Sequence, residues 1–127
     1  MATRVLLIDP DLDSATVVKM YFEQHSYEVQ ISDTAQTGVE EARTWQPNAI
    51  VIDGYVNDLP LTELCQSLME GSLTAHIPIL VLLHLEERRI KLQILEVGVA
   101  DLLVKPYDIE ELMLRVEAAI HLATILE

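Results

Sequence analysis

The chain has 127 residues, half of them hydrophobic, with 21 acidic side chains against 8 basic ones for a formal net charge of −13. That length supports one domain, residues 1–127, with a substantial core, and that composition excludes a disordered segment. A field of this sign repels nucleic acid and anionic membrane surfaces, which removes direct binding to either from the expected functions.

A single cysteine, Cys65, excludes an internal disulfide and suits a reducing compartment. Leu64 and Leu68 beside it mark a buried small hydrophobe rather than a reactive thiol. The longest apolar run, Ile79 to Leu83, falls far short of a bilayer span. A basic segment does not precede the first apolar run, so a signal peptide is not expected and the chain is assigned to the cytoplasm.

In chain order, Val5 to Asp9 reads as a first strand. Asp11 or Asp13 caps a helix in which Val17, Val18, Met20, Tyr21 and Phe22 recur at helical spacing, ending near His25. Tyr27 to Ile31 alternates apolar and polar residues, as a half-buried edge strand does. Asp33 or Thr34 caps a second helix through Ala35, Val39, Ala42 and Trp45, stopped by Pro47. Ala49 to Ile52 is uniformly apolar, a strand buried on both faces, and it delivers Asp53. Asp58-Leu-Pro60 opens a third helix with Leu61, Leu64, Cys65 and Leu68 as its stripe, and Gly71 ends it. Pro78 starts a fourth strand, Ile79 to Leu83. Glu86 to Val97 is a fourth helix with Ile90, Ile94, Leu95 and Val97 inward, closed by Gly98. Ala100 to Val104 is a fifth strand, ended by Lys105-Pro106. Asp108 and Glu111 form a capping box for a last helix carrying Ile109, Leu112, Met113, Val116, Ala119 and Ile120 on one face.

Five β-α repeats with short connections predict an α/β fold, a parallel sheet with helices on both faces, in the flavodoxin-like order 2-1-3-4-5. Strands one and three then lie side by side at the edge where such sheets bind ligands. Three apolar runs end there on charged residues: Asp9, Asp53 and Lys105.

Asp9, Asp11 and Asp53 at one pole repel one another, by roughly 4 kcal/mol for a pair about 4 Å apart at an effective dielectric near 20. An all-oxygen set of this kind suits Mg²⁺, which holds few carboxylates and keeps its waters. With Lys105 it would neutralise an incoming phosphoryl group, and Asp53 would be the nucleophile, forming an acyl phosphate. The plainer reading has Asp9 and Asp11 capping the first helix and Asp53 merely ending a strand. The coincidence of three strands with Lys105 favours a site.

Leu6-Leu-Ile-Asp9 with a following acid, Pro47-Asn-Ala-Ile-Val-Ile-Asp53, Ile77-Pro78, Gly98 and Lys105-Pro106-Tyr107 resemble the motifs of a response-regulator receiver domain of two-component signalling. The resemblance runs over the whole chain, and its Lys-Pro is specific. It implies that Asp53 takes phosphate from a sensor histidine kinase or a phosphotransfer protein. It implies Mg²⁺ on Asp9, Asp11 and Asp53 with the Tyr55 backbone carbonyl, Lys105 on the phosphoryl group, and a cis bond before Pro106. An output domain or downstream protein would read the signal. A receiver catalyses only its own phosphorylation and dephosphorylation, so an enzyme acting on other substrates is not expected.

The sequence also departs from that family. Pro10 stands where a second adjacent acid is usual, with Asp11 one residue on. Asn57 and Leu61 replace a proline and a glycine of the loop after the phosphoacceptor. Leu83 stands for the Ser/Thr that bonds the phosphoryl group, His84 for the small residue after it, and Leu102 for the aromatic switch. These departures support a second reading, a degenerate receiver that docks or dimerises independently of phosphate through the fourth helix, fifth strand and fifth helix. Asp9-Pro-Asp11 also resembles the DxD motif of haloacid-dehalogenase-like phosphatases, but an acid pair does not follow strand four. Tyr55 and Leu85 would flank an acyl phosphate and slow its hydrolysis. His84 would reach the phosphoryl group if strand four were slightly rotated, but a rim or packing role is the reading preferred, and His25, His76 and His121 lack metal-ligand spacing.

Overall fold

The computed structural model describes residues 2–84 and 88–126. In order the elements are β1 (Thr3–Ile8), α1 (Leu12–Gln24), β2 (Tyr27–Ser32), α2 (Ala35–Trp45), β3 (Ala49–Asp53), α3 (Leu61–Glu70), β4 (Ile79–Leu83), α4 (Arg88–Val97), β5 (Asp101–Val104) and α5 (Ile109–Leu126). The strands form one sheet in the order β2-β1-β3-β4-β5, every neighbouring pair parallel. The expected fold and strand order are the observed ones.

Alternation along the central strands explains why they are apolar throughout. Leu6, Ile8, Ile50, Ile52, Val81 and Leu83 point to one face, where Ala35, Ala42, Leu64, Leu68 and Ile94 of α2, α3 and α4 cover them. Val5, Leu7, Ala49, Val51, Leu80 and Leu82 point to the other, under Ala15, Val18 and Phe22 of α1 and Leu112, Met113 and Val116 of α5. Each such buried Leu, Ile or Val contributes roughly 1.5–3 kcal/mol. Cys65 lies in the first layer, fully buried, and burial pushes its thiol up to about 12. It is the inert hydrophobe expected.

Helix packing revises several expectations. In α1 the buried set is Ala15, Val18 and Phe22, while Val17 and Met20 are exposed, since neighbours 100° apart cannot all face one sheet. Leu95 of α4 faces solvent for the same reason, with Ile94 inward. The predicted start of that helix at Glu86 lies outside the described residues. Asp108 Oδ1 accepts the Glu110 amide, but Glu111 pairs with Arg115 one turn on instead of completing a capping box. Pro60, not Asp58, sits at the N-cap of α3. The Asp58 carboxylate crosses to α2, accepting from the Ala35 amide at 2.7 Å and the Gln36 amide at 3.0 Å. Thr34 caps the same helix at Thr37. At Gly38 an added Cβ would stand 2.5 Å from Ile8 Cδ1, so α2 packs closely on β1 and a larger residue there would have to displace the Ile8 side chain.

Register sets the working edge. Ile8 pairs with Ile52, so Asp9 and Asp53 follow on adjacent strands. Leu83 pairs with Val104, and the Lys105 amide donates to the Leu83 carbonyl at 2.7 Å. The carboxyl ends of four strands therefore converge on one pole.

Candidate functional site

The pole holds a cleft of about 680 Å³ lined by Asp9, Asp53, His84, Lys105, Tyr107 and residues of α1. Asp53 is nearly closed off from solvent, at 3% exposure. Its Oδ1 accepts the Tyr55 amide at 2.8 Å, and its Oδ2 accepts from Lys105 Nζ in an ion pair. The bond between Lys105 and Pro106 is cis, as the resemblance implied. A buried carboxylate is costly unless paired, and Lys105 supplies the pairing.

Asp9 is also buried, and its Oδ1 accepts the Asp11 amide at 2.8 Å. Burial raises its carboxyl above the usual range. The Asp11 amide works against this, and the charge of Asp53 adds to the rise. Burial raises the Tyr107 phenol as well, to about 12, and the charges of Asp53 and Asp9 push the same way.

Of the two tasks expected of Asp11, the structure shows the cap. It is the N-cap of α1: its Oδ1 accepts the Asp13 amide at 3.1 Å and its Oδ2 the Ser14 hydroxyl at 2.8 Å. These bonds hold its carboxyl below the usual range, the Ser14 hydroxyl foremost. Among the described residues no three Asp, Glu, His or Cys side chains are placed to hold a metal ion together. The three-carboxylate cluster of Asp9, Asp11 and Asp53 is therefore not assembled. The helix needed a cap, and with Pro10 unable to serve, Asp11 took that place.

The residues that differ from the expected switch set are found as follows. Leu83 is buried in the α2–α3–α4 layer, and Leu102 is half-buried against it. His84 packs at the rim of the cleft, as expected. Its ring stacks on Tyr55 with centroids 3.3 Å apart, and its Nε2 stands 3.9 Å from Asp53 Oδ1. The sequence alone gave no sign of that stack, because Tyr55 and His84 meet only through the pairing of β3 with β4. The other residue expected to flank the site, Leu85, lies outside the described residues.

The response regulator receiver domain model matches residues 5–117. The DNA-binding dual master transcriptional regulator RpaA of Synechocystis sp. is 33% identical over 118 residues, covering 93% of this chain and 49% of that protein. The chain spans about half the length of the curated relatives it matches. Among solved structures, a CheY-like response regulator receiver domain protein from Methanospirillum hungatei superposes with a TM-score of 0.91 at 20% identity, covering all of both chains. The receiver domain of sensor histidine kinase PA1611 from Pseudomonas aeruginosa, with a magnesium ion coordinated in the active site cleft, gives a TM-score of 0.85. That comparison runs at 20% identity and covers 95% of this chain and 99% of that one. At such identities the superpositions speak for the fold. The family match speaks for more: this chain belongs to the response regulator receiver domain family.

Proposed function

We propose that the chain is a phosphoacceptor module of a two-component phosphorelay, with Asp53 as the acceptor. The observation that carries this reading is the buried Asp53 carboxylate, held by Lys105 and the Tyr55 amide at the mouth of a cleft it shares with Asp9. A carboxylate oxygen of Asp53 attacks the phosphorus of a phosphohistidine on a partner kinase or phosphotransfer protein. The new P–O bond forms as the P–N bond breaks, and the departing imidazole takes up a proton. Lys105 turns its ammonium from the carboxylate to the transferred group, whose charge it offsets.

Mg²⁺ fits the donors present. Two buried carboxylates, Asp9 and Asp53, line one cleft with Lys105 paired to Asp53, and Mg²⁺ needs only one or two carboxylates with waters to complete its shell. Asp9 and Asp53, with the Tyr55 backbone carbonyl, would hold it, and Asp11 would contribute at most through water. Bound there, the ion supplies neutralisation of the phosphoryl oxygens as charge builds on them. The PA1611 receiver, with a magnesium ion coordinated in its active site cleft, supports a divalent cation in this cleft.

In this reading the chain acts on no substrate but its own acyl phosphate, works in the cytoplasm, and signals to an output domain or a downstream protein. Among the described residues no helix is long and apolar enough to cross a membrane. The acidic surface argues against direct contact with nucleic acid. Leu92 and Leu95 on α4 and Leu114 on α5 are exposed, and the α4–β5–α5 side is where a partner or a second copy would dock. The second reading, a docking module independent of phosphate, is favoured by Leu83 and Leu102, which leave apolar groups where a phosphoryl-sensing switch would need a hydroxyl and an aromatic ring.

Intact-mass measurement after incubation with acetyl phosphate tests between them. The expected result is a single Mg²⁺-dependent phosphoryl adduct that Asp53→Asn abolishes. A folded protein that takes up no phosphoryl group would favour the docking module.

A further inference from the structure

β4 ends on Leu83, whose side chain is committed to the core and carries no donor. The next residue goes to the site instead. His84 lies on the Tyr55 ring, the planes 11° from parallel, with its Nε2 3.9 Å from Asp53 Oδ1. Lys105 is on the other oxygen, Oδ2, so the two side chains address the two oxygens of one carboxylate. The separation of 3.9 Å exceeds the roughly 2.7–3.2 Å of an N–H···O bond, so the imidazole does not bond the bare carboxylate. A phosphoryl group joined to Asp53 carries its oxygens farther out than the carboxylate's own. They enter the cleft that His84 and Lys105 line together.

We propose that His84 is a phosphoryl-contacting residue, a ring N–H donor set in place by its stack on Tyr55, which acts where Leu83 offers no hydroxyl. The proposal rests on Asp53 carrying the phosphoryl group. Stacking fixes the ring plane, so the donor is oriented before the group arrives, and little side-chain freedom remains to be lost. The neutral tautomer protonated on Nε2 suffices; the contact does not need a charged ring. Because Tyr55 follows Asp53 by two residues and shares its turn, the acceptor and the support of its donor move as one piece.

The test is a titration of the full chain with trifluoroberyllate, a non-covalent phosphoryl mimic, in the presence of Mg²⁺ and with ¹⁵N-labelled histidine rings. The ring nitrogens of His84 are expected to shift on binding while those of His25, His76 and His121 stay in place. His84→Ala is expected to weaken binding about tenfold, the worth of a hydrogen bond to a charged group. His84→Gln, which keeps a side-chain N–H, recovers most of the loss. Wild-type binding with unmoved His84 nitrogens, or equal affinity in His84→Ala, would overturn the assignment and leave the role of Asp53 intact. A wild-type chain that neither binds the mimic nor forms an acyl phosphate would overturn both.

Discussion

Two flanks of one sheet edge are built on opposite terms. At the ends of β1 and β3, buried carboxylates meet, and their charge is offset by Lys105 and by backbone amides. On the β4–β5 flank, Leu83 is buried in the α2–α3–α4 layer and Leu102 packs against it. That flank sends Lys105 and His84 toward Asp53, yet Leu83 and Leu102 carry neither the hydroxyl nor the aromatic ring of a phosphoryl-sensing switch. The difference teaches that accepting a phosphoryl group and converting it into a change of shape are separable demands. The first needs a nucleophile and positive charge; the second needs a group that moves from one partner to another. Each hydrogen bond to a charged group is worth about 1.5–3 kcal/mol, whereas inverting a two-state population takes roughly 5.5 kcal/mol. Leu83 and Leu102 lack the hydroxyl and the ring that would carry much of that coupling.

The comparison is broken most severely at Lys105. Lys105→Met strands the Asp53 carboxylate in a buried site beside Asp9, and the expected cost is on the order of 3 kcal/mol in denaturant unfolding. Adding Asp53→Asn removes the stranded charge and should recover most of that loss; a double variant no more stable than Lys105→Met would show that the pairing is not what holds the pole. Leu83→Thr probes the other flank. It exchanges a fully buried leucine for a smaller residue with a hydroxyl, at an expected cost of about 2 kcal/mol. A neutral or stabilising result would mean that the hydroxyl finds a partner there, and the contrast between the flanks would fail.

The smallest effect is expected at Asp58, which ties the loop after β3 to the start of α2. Asp58→Ala should cost about 1 kcal/mol, the usual worth of a helix cap. The Ala35 amide, foremost, holds the Asp58 carboxyl below its usual range. A carboxyl depressed on folding adds stability above the ordinary carboxylate pKa and loses it as pH falls through the depressed folded value. The variant should therefore differ from the parent at neutral pH and converge with it in acid, below about pH 4. A constant difference across that range would remove the carboxylate from the account.

The strands and the acid pair were legible because each apolar run stops on a charged residue: Ile8 before Asp9, Ile52 before Asp53, Val104 before Lys105. Such signals are local, and parallel order with known register turns them into neighbours. Asp11 was legible as a cap and as a ligand alike, and only the bonds to Ser14 and Asp13 decide for the cap. Val17, Met20 and Leu95 were misplaced because apolar character was read without its angle; Ala15, Val18 and Phe22 keep a helical spacing that the larger residues hid. The Asp58 bridge and the His84–Tyr55 stack left no trace in the sequence. The first joins a loop to a helix and the second joins two loops, 23 and 29 residues apart in the chain, and both depend on how strands and helices are laid side by side.

Backbone amide chemical shifts before and after acetyl phosphate treatment in Mg²⁺ test the separation of the two flanks most directly. The expected changes are confined to Asp9–Asp11, Asp53–Val56, His84 and Lys105–Tyr107, with α4, β5 and α5 unmoved. Changes spreading through α4, β5 and α5 would contradict it, and would mean that the leucine flank transmits the phosphoryl signal after all.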